Sequence, residues 1–114
     1  MANPTQFKLI FRVPPSHLEA CKEAVFAAGA GTYPGGLYTH VSFETLGMDQ
    51  FRPSENSTPF IGSPGQLEKV EEYRVETLCV GEDVMRSSVK ALRKAHPYQQ
   101  VVVEVIQLVD VGED

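Results

Sequence analysis

The densest group of ionisable side chains is Glu68, Glu71, Glu72, Arg74 and Glu76, with His40 and Glu44 on a second segment of strand-like alternation. Paired carboxylates divide acid and base roles when their environments push their pKa values apart. Glu72, Glu76 and His40 are therefore the candidates for a small hydrolase or transferase. The structural alternative is a cross-strand charge ladder in which Arg74 faces a carboxylate and each pair contributes about 0.2–1 kcal/mol. The ladder is favoured, because no nucleophile and base share a recognisable local motif, and no catalytic residue is assigned. Imidazole is a common metal ligand, which makes His40 with Glu44 the candidate pair for a divalent ion. The chain has few soft ligands, 3 His and 2 Cys without metal-site spacing, so the expectation is no metal site and no cofactor.

Arg52, between Phe51 and Pro53, has the planar fork that grips an anion through two parallel hydrogen bonds. Its alternative is an exposed charge stacked on Phe51 or Tyr73. His96 is expected at a helix end, its ring bonded to a last-turn carbonyl while Pro97 redirects the chain; His17 is expected in solvent. The glycines of Gly29–Leu37 (GAGTYPGGL) resemble a phosphate loop, but they follow a helix instead of opening one and lack the lysine. They read as a loop bending round a subunit edge.

Phe7, Leu9, Phe11 and Val13 alternate with Lys8, Ile10 and Arg12, a strand with one strongly apolar face. A helix follows, with Ser16 and Glu19 spaced as a capping box, a stripe of Leu18, Cys21, Val25 and Ala28, and Gly29 as its stop. The next strand is expected over 38–46, with Val41, Phe43 and Thr45 on one face and His40, Ser42 and Glu44 on the other. Residues 47–66 read as a long irregular loop, yet Phe51, Phe60 and Ile61 predict that it packs against something. A strand over 67–80 carries Tyr73, Val75, Thr77 and Cys79 on one face. Asp83 then caps a helix with a stripe of Met85, Val89, Leu92 and His96. A β-branched final strand ends in a tail, 112–114, expected to fray.

Strand, helix, strand, strand, helix, strand is the ferredoxin-like βαββαβ order, an α+β domain whose antiparallel sheet carries both helices on one face. The other face then shows Lys8, Ile10, Arg12, His40, Glu44, Glu72, Arg74, Glu76, Leu78, Val102, Glu104 and Ile106. It is too apolar to stand alone in water and too charged for a core, which predicts self-association. At 114 residues the chain fits one domain, 1–114. Its 10 basic against 15 acidic residues give a net charge of −5, so neither nucleic acid nor a membrane is an expected partner. With no membrane-length apolar run and no signal-like start, the expected location is cytoplasmic. Cys21 and Cys79 are expected as buried thiols.

The runs FRVPPSHLEACKEAVFAAGAG, GGLYTHVSF, FRPSENSTPFIGSPGQLEKVEEYRVE and ALRKAHPY, in this order and spacing, resemble the YqfO-type CutA-like insert domain of the NGG-interacting-factor-three family. The resemblance implies a CutA/PII-like module, often trimeric through its sheets, read here as a stand-alone chain. The family's dinuclear metal site lies in flanking domains, so no metal chemistry transfers. Gln99 and Gln100 stand where the family usually has two glutamates after His-Pro-Tyr, and the loop before Tyr38 is longer than usual. The resemblance to PII-like modules also suggests a subunit-interface groove for a small anion or nucleotide, lined by Arg52, Arg74, Tyr38, His96 and Tyr98. The expected role is a non-catalytic homo-oligomeric binding, regulatory or adaptor module, a trimer before a dimer. A separate protein carrying the family's metal-binding domains is a candidate partner, and divalent-metal handling of the CutA kind is the alternative function.

Overall fold

The computed structural model describes residues 3–112; the last two residues of the expected fraying tail lie outside them. Strand β1 (Gln6–Val13) leads into a 3-10 turn (Pro15–His17), then α1 (Leu18–Ala27), β2 (Phe43–Phe51), β3 (Glu68–Val80), α2 (Glu82–Ala95) and β4 (Val103–Gln107). The sheet order is β2-β3-β1-β4, antiparallel at every pairing. This is the expected ferredoxin-like α+β arrangement. Phe7, Leu9, Phe11 and Val13 of β1 pack with Val75 and Cys79 of β3 against Leu18, Cys21 and Val25 of α1 and Leu92 of α2. Period-two alternation thus sends one face of the two central strands into the helices. Both cysteines are free and buried, and burial pushes the Cys21 thiol up to about 11.

The capping box does not form. Pro14 and Pro15 set up a 3-10 turn closed by His17 N–H on the Pro14 carbonyl at 3.0 Å, which places Ser16 inside the turn instead of before the helix. Its hydroxyl bonds His17 Nδ1 at 2.8 Å. Asp83 is likewise one step inside its helix: Gly81, at φ +94°, caps α2, and Glu82 and Asp83 place negative charge in its first turn.

The second strand is shifted along the chain. Residues 38–42 form no ladder, because the loop after α1 closes on itself: Gly31 N–H bonds the Leu78 carbonyl at 2.7 Å, Val41 N–H bonds Gly31, and the Thr77 hydroxyl donates to the Val41 carbonyl. Pairing begins at Phe43 opposite Glu76 and continues to Phe51 opposite Glu68. The irregular stretch is therefore 52–67, not 47–66; β3 is long enough to draw the turn-forming residues Gly47, Asp49 and Gln50 into a ladder.

This register also exchanges the faces expected for the second strand. Glu44 lies on the helix side, where Lys22 of α1 donates to it at 2.8 Å, while Phe43 and Thr45 join the open face. There Glu76 stands between Phe43 and Ile10, and Arg74 between Thr45 and Arg12. Arg74 does not face the expected carboxylate; the ladder runs Lys8–Glu76 at 3.1 Å and Arg12 to Asp49 and Glu72 at 3.6 and 3.9 Å.

Gly31 sits at φ +79°, and a Cβ there would lie 2.9 Å from Phe26 Cε1 and from the backbone N and O of Val41. Gly35, at φ +89°, has open space at that position. Gly31→Ala is expected to cost about 2 kcal/mol or more by combining left-handed strain with a backbone clash, and Gly35→Ala about 1 kcal/mol from strain alone. Urea unfolding of the two variants measures the difference; equal losses would contradict it.

Candidate functional site

Past Val13, β2 and β3 continue without β1, and the loop from Arg52 folds back toward the turn after α2. Thr58 N–H bonds Gln99 Oε1 at 2.8 Å, and the Phe60 ring lies 5.3 Å from His17 and 6.3 Å from Tyr98. The expectation that this loop packs is met, and His17, expected in solvent, is half-buried with its ring edge-on to Phe60. Between the loop and the segment 98–103 opens a groove of about 580 Å³, walled by Phe51, Phe60 and Tyr98, with Arg52 and Asp49 in its lining.

His96 holds the wall. Its imidazole is 7% exposed; Nε2–H donates to the Arg12 carbonyl at 2.7 Å, and Nδ1 accepts Tyr98 N–H at 3.1 Å. One nitrogen donates and the other accepts, so the ring is a neutral imidazole in one tautomer. Burial lowers its pKa, with the nearby His17 adding to the effect against the carbonyl bond to Arg12. The carbonyl it meets belongs to β1, not to the last turn of its own helix, because Leu92's carbonyl already accepts His96 N–H.

Tyr98, aligned by that bond and packed 4.8 Å from the imidazole, donates its hydroxyl to Glu72 Oε2 at 2.6 Å. Glu72 is 2% exposed although it lies on the open face. Burial is the main cause raising its pKa, helped by Asp49 and opposed by Tyr98 and Arg12. Burial and Glu72 together raise the Tyr98 phenol well above its usual range.

Of the five residues expected to bind a ligand, Arg52 and Tyr98 meet in the groove and His96 stands behind them. Arg74 instead lines a neighbouring hollow of about 250 Å³ with Arg12, Asp49 and Glu72. Tyr38 is 70% exposed on the loop that closes at Leu78, six residues along β3 from Glu72 and hence roughly 20 Å away. His40 and Glu44 do not form a metal pair: the His40 ring packs at a tilt against Phe26, centroids 5.2 Å apart, and bonds Thr39, while Glu44 holds Lys22. No group of three or more His, Cys, Asp or Glu fit for a metal ion is gathered among the described residues. Nor do Glu72, Glu76 and His40 form an acid–base cluster, since the two glutamates lie roughly 13 Å apart along one strand and Glu76 pairs with Lys8. Asp49 and Arg12, central to the site, carry no mark of it in the sequence, because the turn formers of 47–66 read as loop and Arg12 reads as one charge of a mixed face.

No protein-family model matches the chain. It is 38% identical over 107 residues to a GTP cyclohydrolase 1 type 2 homolog of Halalkalibacterium halodurans, covering 94% of this chain and 28% of that protein. A solved Bacillus cereus protein related to NIF3 (NGG-interacting factor three) superposes with a TM-score of 0.78 at 35% identity, over 95% of this chain and 27% of that one. Over nearly its whole length the chain matches a CutA/PII-like domain carried by NIF3-family proteins. It spans little more than a quarter of the length of these relatives. CutA1 of Ehrlichia chaffeensis, a divalent ion tolerance protein, shares the fold at a TM-score of 0.68 and 7% identity, with 98% of this chain and 89% of that one covered. No helix among the described residues is long and apolar enough to cross a membrane.

The tautomer at His96 carries a pH signature. A ring whose pKa is lowered on folding contributes stability above its unfolded value of about 6.5, lost as pH falls through the folded value. The stability advantage of the wild type over His96→Gln is expected to shrink as pH drops below about 6.5. Urea midpoints between pH 7.5 and 5 test this, and a constant difference between the two proteins would refute it.

Proposed function

We propose that this NIF3-family domain is a non-catalytic, homo-oligomeric binding module whose groove takes up a small anionic ligand, a nucleotide or organic phosphate, and transmits its presence to neighbouring copies. The observation that carries this reading is the groove itself: aromatic walls at Phe51, Phe60 and Tyr98 suit a flat apolar body, and Arg52 in the lining suits an anionic group. The likeness to PII-like modules supports the same ligand class.

Self-association is supported by the open sheet face. Phe43, 68% exposed, and Ile106 share that face with Arg74 and Glu104, neither of which has an ion-pair partner among the described residues. A second copy laid against it buries the apolar members and supplies the missing counter-charges. A trimer is preferred to a dimer on the likeness to CutA and PII-like modules.

A thermal-shift screen across nucleotides, organic phosphates and divalent ions tests the binding role. The expected result is a rise in Tm with a nucleotide or phosphate, equivalent to about 2.7 kcal/mol at a hundredfold excess over Kd, and its loss in Arg52→Ala. Light scattering on the same samples is expected to give a mass of two or three chains. A flat screen overturns the binding reading, and a monomer at high concentration overturns the assembly.

A further inference from the structure

The side chains around Glu72 form an arrangement that the groove alone does not require. Glu72 of β3 and Asp49 of β2 converge on the single guanidinium of Arg12 of β1, at 3.9 and 3.6 Å. Glu72 Oε2 accepts the Tyr98 hydroxyl, but Oε1 is fully buried and has no hydrogen-bond partner. An ionised carboxylate oxygen left so costs its whole desolvation penalty, and a second carboxylate beside it adds repulsion. Arg12 offers one positive charge to two carboxyl groups, with no donor in hydrogen-bond range of Oε1. The remaining groups facing the site are Arg74 on the same strand, set beside Arg12, and Gly47 opposite Glu72, which has no side chain to give. What completes the set is a hydrogen on Oε1.

We infer that Glu72 and Asp49 form a proton-binding pair, in which Glu72 Oε1 carries one proton and donates it to the Asp49 carboxylate. With the proton in place each group is satisfied: Tyr98 O–H donates to Oε2, Oε1–H donates to Asp49, and the pair's one remaining negative charge faces Arg12. When the proton leaves, two negative charges, that of Glu72 buried, share one half-exposed guanidinium. Asp49 lines both the groove and the neighbouring hollow, and Tyr98 lines the groove, so the proton is thermodynamically linked to whatever occupies that space. This inference goes beyond the proposed binding role and stands whether or not a ligand is found.

The raised pKa of Glu72 agrees in sign. An acid whose folded pKa exceeds its unfolded value of about 4.3 binds more protons when folded, so its contribution to stability is full at low pH and is lost as pH rises through the folded value. This trend runs opposite to that of His96.

The test follows the Glu72 carboxyl carbon by NMR across pH 3 to 8 in the whole chain. Glu72 is expected to titrate above the ordinary glutamate range, and in Asp49→Asn, where an amide replaces the accepting carboxylate, its midpoint should fall by about one unit or more. Should that variant fail to fold, Glu72→Gln serves: its amide N–H imitates the proton, so the loss of stability between pH 4 and 7 assigned to Glu72 should vanish while the Tyr98 contact persists. A wild-type midpoint at or below the ordinary range, a midpoint unmoved by Asp49→Asn, or an unchanged pH profile in Glu72→Gln overturns the pair.

Discussion

The site depends on one short relay, in which the Arg12 carbonyl accepts a hydrogen bond from His96, whose other nitrogen receives the backbone of Tyr98. Through it the end of α2 is fastened to β1 at the point where β1 stops. The fastening turns Tyr98 toward Glu72 and gives the loop 52–67 an aromatic surface to fold onto. Without this relay the segment 98–103 has no fixed height above the sheet, and the groove has only one wall. A buried imidazole suits the position because it joins a donor and an acceptor in one rigid ring, so two elements far apart in sequence are set at a fixed spacing.

The relay also explains a contrast between the two faces of the sheet. Toward the helices the order is chiefly apolar and set by burial, with the Lys22–Glu44 pair at the β2 edge. On the open face order comes from charge, with three basic residues and several carboxylates packed at strand spacing. Arg12 and Arg74 are direct cross-strand neighbours, an arrangement unfavourable by itself. Asp49 and Glu72 offset it from beyond the end of β1. Glu72, though on this face, is as secluded as the core because Tyr98 covers it.

Much of this was legible in the sequence, and for identifiable reasons. Alternation in β1 and β3 and the amphipathic stripe of α2 report burial directly, so the fold class, the helix face and both buried cysteines follow from residue type. The second strand misled because its ends are set by what β3 offers as a partner, and a pairing opportunity leaves no mark on the paired segment itself: Gly47, Asp49 and Gln50 carry turn chemistry and lie in a ladder. A five-residue displacement in that strand exchanged the faces of Phe43 and Glu44. The same error hid Asp49. Arg52 is conspicuous as an arginine between an aromatic residue and a proline, whereas Tyr98 and Tyr38 come into the set only through the resemblance to PII-like modules. Arg52 and Tyr98 share the lining of one groove, and distance along β3 separates Tyr38 from it. Ser16 and Asp83 show a smaller effect of this kind, since cap spacing cannot say whether a proline turn or a glycine has already started the helix.

Strands β2 and β3 run on beyond the last residue of β1 as a two-stranded arm, in a molecule 53 Å long and 23 Å across. Each strand of the arm has a neighbour on one side only, and the helices do not reach Leu46 or Met48 on its helix-facing surface. Such a ribbon is close to the minimum that holds together in water. It therefore opens at a lower free energy than the four-stranded body, as an independent unit of unfolding whose amide hydrogens exchange with solvent while those of β1 remain protected. The arm is rooted at Tyr73, beside the residues that secure Tyr98, so a two-stranded ribbon is hinged where the charged side chains of the open face gather.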